Sequence, residues 1–174
     1  MTARTATRPA SFLRAAHESD VAAIAAIYAH HVKTGTASFE TEAPDDAEML
    51  RRFRDIAAKN LPYLVAEQDG VIVGYAYAGT YRPRLAYRFT VENSIYVHAD
   101  YAGHGIGSLL MPALIDECRA RGLQQMIAVI GDSGNAASVA LHEKFGFRHV
   151  GILKNVGFKF ECWLDTVFMQ LELK

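Results

Sequence analysis

A chain of 174 residues with 51% hydrophobic and 21% charged side chains is long enough to fold around its own core, and its formal net charge of -1 gives no electrostatic footprint for bulk nucleic-acid or anionic-membrane binding. No apolar run approaches the roughly 18 residues of a membrane span. Cys118 and Cys162 have neither metal-ligand spacing nor the number for a disulfide framework, so a reducing cytoplasm is the expected setting, with no bound metal.

Residues 1–11 read as a flexible tail without the apolar stretch of a secretory signal, and 12–174 as one domain. Ser19 or Asp20 caps a first helix whose stripe is Val21, Ile24, Ile27, Tyr28 and His31. A second helix follows Pro44: Asp45 and Glu48 have capping-box spacing, and Met49, Phe53, Ile56 and Ala57 supply its buried face. No strand pattern precedes these two helices. YLVAEQ and VIVGYAYAG then flank Asp69-Gly70, the signature of a tight hairpin. RFTVENSIYVHA predicts a third long strand, with Phe89, Val91, Ile95 and Val97 on one face and Thr90, Glu92, Ser94 and Tyr96 on the other.

Gly103, Gly105 and Gly107 lead into a helix in which Ile106, Leu109, Leu110, Ala113, Leu114 and Cys118 recur at helical spacing up to Gly122. Pro112, inside it, predicts a kink or a loosened turn. QMIAVIG follows as a buried strand, NAASVALHEKFGF as a helix, and FRHVGIL and DTVFMQLEL as two more strands. This order predicts a mixed α/β layer rather than a repeated βαβ winding.

Each of the three alternating glycines weakens regular structure by roughly 0.5–1 kcal/mol relative to Ala, so their use lies elsewhere. A strand that ends in glycines and turns into a helix presents unpaired N–H groups and the positive end of a helix dipole to one place, where an anion binds. An ordinary glycine-rich turn is the alternative. There is no Gly-Lys-Ser/Thr for a nucleoside triphosphate, and the upstream hairpin does not fit a dinucleotide-binding βαβ unit.

Ala102-Gly103-His104-Gly105-Ile106-Gly107 resembles the acetyl-CoA motif of the GNAT N-acetyltransferases, Arg/Gln-x-x-Gly-x-Gly/Ala, with Ala102 replacing the opening Arg or Gln. NAASVALHEKFGF resembles that family's later Asn-x-x-Ser/Ala-x-x-Leu-Tyr/His-x-x-x-Gly-Phe segment. Within the family, TASFETEAP, TVENSIYV, AVIGDSGNAAS, LHEKFGF and VGFKFECWLD are similar to the phosphinothricin and methionine sulfone/sulfoximine acetyltransferases, over residues 12–173.

The resemblance implies the GNAT fold, α/β (α+β layered), with a mixed, mostly antiparallel central sheet of about six to seven strands flanked by about four helices. It implies acetyl-CoA as co-substrate, the α-amine of a small amino-acid-like substrate as acceptor, and a homodimer. To the cofactor it assigns Ile95, Tyr96, Val97, Gly103, His104, Gly105, Ile106, Gly107, Ser108 and Asn135, with a backbone N–H near Val97 polarising the thioester. To the substrate it assigns Phe39, Arg82, Pro83, Arg84, Tyr87, Glu92, Asn93 and Ser94. Arg82, Arg84 and Arg88 suit planar oxyanions.

Glu92 is the expected base, acting through water, and His142 either a general acid or second base or a packing residue. Trp163 and Phe158 line the pocket across a dimer seam or simply pack. The other histidines, the His30-His31 pair and His104 included, match no role in the chemistry and read as solvated or local. Two alternatives stay open: transfer to another amine, such as a protein N-terminus, a polyamine or an antibiotic, and a non-catalytic acyl-CoA sensor.

Overall fold

The Asp69-Gly70 dipeptide has positive φ at both residues, 53° and 78°, the backbone of a two-residue hairpin turn. It joins β2 (Tyr63–Gln68) to β3 (Val71–Thr80) in the computed structural model, which describes residues 11–174. β3 pairs antiparallel with β4 (Thr90–Val97) without a register break. The period-two alternation therefore holds within the strand, where Val91, Ile95 and Val97 pack into one core and Tyr96 into the other, while Phe89, expected with them, precedes β4 and is exposed.

From β4 the chain passes through the glycine turn into α3 (Ile106–Ala120) and returns as β5 (Gln125–Gly131), parallel to β4. α4 (Ala136–Lys144) follows, then the hairpin of β6 (Arg148–Lys159) and β7 (Cys162–Glu172), with β7 inserted between β5 and β6. With β1 (Phe12–Ala15) at the far edge, the order is β1-β2-β3-β4-β5-β7-β6. This is the expected mixed, mostly antiparallel sheet. α1 (Val21–Thr34) and α2 (Asp46–Ala58) cover one face around Ile24, Val32 and Tyr75, while α3 and α4 cover the other around Leu110, Leu114 and Met126.

Several expectations are corrected. β1 precedes both helices; its four residues at a half-exposed edge carry no alternation to read. Asp20 precedes α1 without capping it, because its carboxylate accepts from Arg14 at 2.7 and 2.9 Å and from the His17 N–H at 2.8 Å. The capping box of α2 is half made: Asp45 accepts from the Glu48 N–H, but the Glu48 carboxylate turns to Arg51 and Arg52. Ala57 and Leu109 face outward. α3 keeps Pro112 inside one helix, as its helical spacing implies.

The last hairpin is longer than its apolar pattern. It closes through Phe160 and Glu161, both at positive φ (51° and 59°), a turn with none of the usual Asn or Gly signals. Its bulge near Asn155 is held by Asp165, which accepts from the Asn155 N–H at 3.0 Å and from Ser133 and Lys154. The tail expected over residues 1–11 lies outside the described residues except for Ser11, whose hydroxyl donates to Gln68 at 3.0 Å.

Gly74 fixes where α3 begins. A Cβ there would stand 2.8 Å from Ile106 Cγ2 and 3.1 Å from the Tyr96 carbonyl oxygen, so the helix N-terminus rests directly on the β3 backbone. Gly74→Ala is expected to lower stability by about 1–3 kcal/mol, seen as a lower urea midpoint; an unchanged midpoint contradicts this packing.

Candidate active site

The ladder between β4 and β5 runs from Thr90 opposite Gln125 to Asn93 opposite Ala128 and stops there, although β4 continues to Val97 and β5 to Gly131. The two central strands splay. On β4 the even-numbered residues direct their backbone groups to β3, as the His98 N–H does to Val73 O at 2.9 Å. Alternation then turns the N–H groups of Ile95 and Val97 into the gap. The gap opens as a cleft of about 570 Å³, lined from β4 by Asn93, Ser94, Ile95, Tyr96 and Val97 and from β5 by Ala128, Val129, Ile130 and Gly131.

The glycine turn forms one end of this cleft. Gly103 and Gly105 have φ of 74° and 82°, the left-handed region that costs other residues about 1–2 kcal/mol. Gly107 serves differently, since a Cβ there would lie 3.0 Å from Leu141 Cδ2, so it lets α3 and α4 approach. The N–H groups of Gly105, Ile106, Gly107 and Ser108 have no acceptor among the described residues and converge at the positive end of α3. Lys144, on α4, donates to Ser108 Oγ at 3.0 Å and brings a positive charge to the same rim. His104 stands apart: its N–H is held by Tyr101 O at 3.1 Å, its ring packs on Tyr101, and it does not line the cleft.

Across from the glycines, Asn135 caps α4, its Oδ1 accepting from the Ser138 N–H at 3.3 Å, with the residue lining the cleft. His142, about two turns on, is buried at 5% exposure. Its Nδ1 lies 2.7 Å from the Ser138 carbonyl, which can only accept, so Nδ1 carries the proton. Its Nε2 is then the acceptor for Asn93 Nδ2 at 2.9 Å. Burial pushes the imidazole below its ordinary pKa and keeps it neutral.

His31, expected to be solvated or local, is a cleft residue. Half-buried on α1, it meets the Val97 carbonyl through Nε2 at 2.8 Å and packs on Tyr96. A helical stripe can mark it as inward, but nothing in the sequence names the carbonyl that it reaches.

Glu92 lies on the opposite face of β4 from Asn93 and His142. Gly79 is its partner across the ladder, so no side chain covers it there. Burial raises the Glu92 carboxyl above the usual carboxylate range. Neighbouring positions on this face carry a tyrosine stack of Tyr63, Tyr75, Tyr77 and Tyr96, edged by Tyr28, whose hydroxyl meets Ser38 and Glu40. The cleft reaches this face too, since His31 and Ala37 line it.

The remaining expected substrate residues are not drawn into the cleft. Arg82, Pro83, Arg84 and Tyr87 lie exposed on the loop between β3 and β4, with no ion pair to Arg82 or Arg84 among the described residues. Phe39 wedges its ring between Gly131 and Gly157, where added Cβ atoms would fall 2.9 and 2.3 Å from it. Lys159 donates to the carbonyls of Gly35 and Ser38 and ties the same segment to β6. No cluster of three metal-ligating side chains occurs among the described residues.

This geometry agrees with comparison to known proteins. The acetyltransferase (GNAT) family pattern matches residues 24–147. The chain is 54% identical to phosphinothricin N-acetyltransferase of Alcaligenes faecalis, covering 95% of this chain and 84% of that one. It is 41% identical to the L-methionine sulfoximine/L-methionine sulfone acetyltransferase of Salmonella typhimurium, covering 92% and 93%. A phosphinothricin acetyltransferase of Sinorhizobium meliloti, solved in complex with acetyl-CoA, superposes with a TM-score of 0.90 at 44% identity over 93% of this chain and 88% of that one.

Gly105→Ala is expected to cost about 1–2 kcal/mol of stability and to weaken CoA binding by about tenfold or more in calorimetric titration. Unchanged affinity contradicts the anion cradle.

Proposed function

The chain belongs to the acetyltransferase (GNAT) family, and from that premise we propose that it transfers the acetyl group of acetyl-CoA to the α-amine of a small amino-acid analogue of the phosphinothricin, methionine sulfone or methionine sulfoximine type. The observation that carries this is the splay after Asn93 and Ala128, which opens one cleft to a donor cradle at one end and to the Glu92 face of the sheet at the other.

The residues present fit acetyl-CoA. The free N–H groups at the start of α3, with Lys144, suit its pyrophosphate. The apolar splay walls with Ile95, Val97 and Asn135 suit its pantetheine arm, and the Val97 N–H faces the gap where a thioester oxygen needs a donor. When bound, the co-substrate supplies the activated acyl carbon. Glu92, raised in pKa and uncovered opposite Gly79, takes the proton from the acceptor amine through water. Arg82 and Arg84, exposed and without an ion pair among the described residues, serve an anionic acceptor group better than a basic one.

The long unpaired edge of β6 and the exposed Val150, Ile152, Val156, Phe158 and Trp163 form an apolar surface at one side of the sheet. Such an edge needs a cover, and we propose a second copy of this chain. The free thiols, Cys162 exposed and Cys118 buried, suit a cytoplasmic setting.

Incubation with acetyl-CoA, a thiol reagent and each amine is expected to release CoA with an amino-acid analogue bearing a second anionic or sulfonyl group; no release with any of them contradicts the proposal. Glu92→Gln should lower kcat by about 10²–10⁴-fold with acetyl-CoA affinity unchanged, whereas a sensor has no turnover to lose. Because a raised carboxyl loses its base form as pH falls through that raised value, the acid limb of kcat/KM should lie above the roughly 4.3 of an ordinary glutamate and be absent from Glu92→Gln. Light scattering should give about twice the 19.2 kDa chain mass, and Trp163→Glu should yield the monomer.

A further inference from the structure

His142 at rest has no proton to give. Its Nδ1–H is committed to the Ser138 carbonyl, and its Nε2 accepts from Asn93 Nδ2 at 2.9 Å. A ring so bound cannot act as an acid until Nε2 gains a proton, and that proton would then point at the Asn93 amide nitrogen, which offers only hydrogens. The other end of that amide carries the second anomaly. Asn93, only 7% exposed, leaves its Oδ1 without any hydrogen-bond partner, and Oδ1 is the one buried side-chain polar atom so placed among the described residues. An orphaned buried acceptor costs about 1–3 kcal/mol, so its retention asks for a second state in which it is used.

We infer that Asn93 is the positioning residue for the His142 proton: its amide presents Nδ2 to the neutral ring and, after a half-turn about Cβ–Cγ, presents Oδ1 to the protonated ring. In the first state Nε2 is an acceptor facing a donor. In the second, Nε2–H donates to Oδ1 in a charge-assisted bond, and Nδ2 takes the place that Oδ1 leaves. One side chain thus meets both protonation states of an imidazole that burial would otherwise hold neutral.

Few groups compete for this ring. Phe147, ahead of β6, packs edge-on at 4.8 Å, and Ser138 lies on the same helix. Among the described residues, His31, Tyr96 and Tyr101 are the titratable side chains that share the cleft with it, and no carboxylate, Lys or Arg lines it. Glu143 is turned to His149 and Lys144 to Ser108, while Glu92 projects from the other face of β4. Resting on the acetyl-transfer reading, the consequence is that His142, once Nε2 has taken a proton from solvent water, can release that proton to a departing thiolate as the carbon–sulfur bond breaks with the electron pair on sulfur. The ring then returns to its Nδ1–H form and the amide swings back.

The test is ¹⁵N NMR of the histidine-labelled full chain, titrated without substrate. The wild type should show the neutral Nδ1–H tautomer for His142 at high pH. Asn93→Asp, which can only accept, should raise its titration by a pH unit or more, a tenfold gain in proton affinity. Asn93→Leu, which can do neither, should lower it by as much. The basic limb of the kcat profile should move with the NMR midpoint in each variant, while the Glu92 limb stays. A neutral Nε2–H tautomer in the wild type, which needs no variant to fold, overturns the inference, as does a midpoint common to all three proteins. Absence of acetyl transfer by a wild type that titrates as described would instead defeat the acetyl-transfer reading and leave this one standing.

Discussion

Everything at the site depends on a hydrogen-bond ladder that stops early. Had β4 and β5 stayed paired beyond Asn93 and Ala128, the N–H groups of Ile95 and Val97 would be satisfied by the neighbouring strand and the sheet would be closed. Because they part, backbone groups that elsewhere hold the fold together are left facing a cleft, where water or a ligand can meet them. His31 on α1 meets the Val97 carbonyl from the acceptor side. α3, seated on Gly74, directs its unpaired N-terminal donors into the same opening. The opening is thus built by main chain, and side chains tune it.

The splay also solves a problem of access. Glu92 and Asn93 are adjacent in sequence, and the pleat sends them to opposite faces of one strand. Asn93 and His142 belong to the face covered by α3 and α4, and Glu92 to the face covered by α1 and α2 with its tyrosine stack. A closed sheet would keep a base on one side from a donor on the other. The parted strands form a window between the two, so the proton removal proposed for Glu92 and the proton delivery proposed for His142 fall to groups that never compete for one position.

Much of this was legible in the sequence for local reasons. The Asp69-Gly70 turn, the alternation of β4 and the glycine turn into α3 each follow from backbone preferences within a few residues. Of the residues that the resemblance assigned, Asn93 to Val97, the glycine turn from Gly103 to Ser108 apart from His104, and Asn135 line the cleft, whereas Phe39, Arg82, Pro83, Arg84, Tyr87 and Glu92 do not. What escaped was cross-element. β1 is too short and too half-exposed for a pattern. The Phe160-Glu161 turn adopts positive φ without a residue that favours it. The partners of His31, Lys144 and Asn93 lie 66, 36 and 49 positions away, distances at which periodicity is silent. Phe39, expected against substrate, is wedged on two glycines whose missing side chains are visible only in space.

The central claim is that unpaired main-chain amides, more than any side chain, bind the acyl donor. Amide hydrogen exchange read residue by residue with and without acetyl-CoA tests it most directly. The account predicts that Ile95, Val97, Gly105, Ile106, Gly107 and Ser108 exchange readily in the free protein and become protected together when acetyl-CoA is added. Protection of these amides already in the free protein, or protection on binding that falls elsewhere and leaves them unchanged, would contradict it.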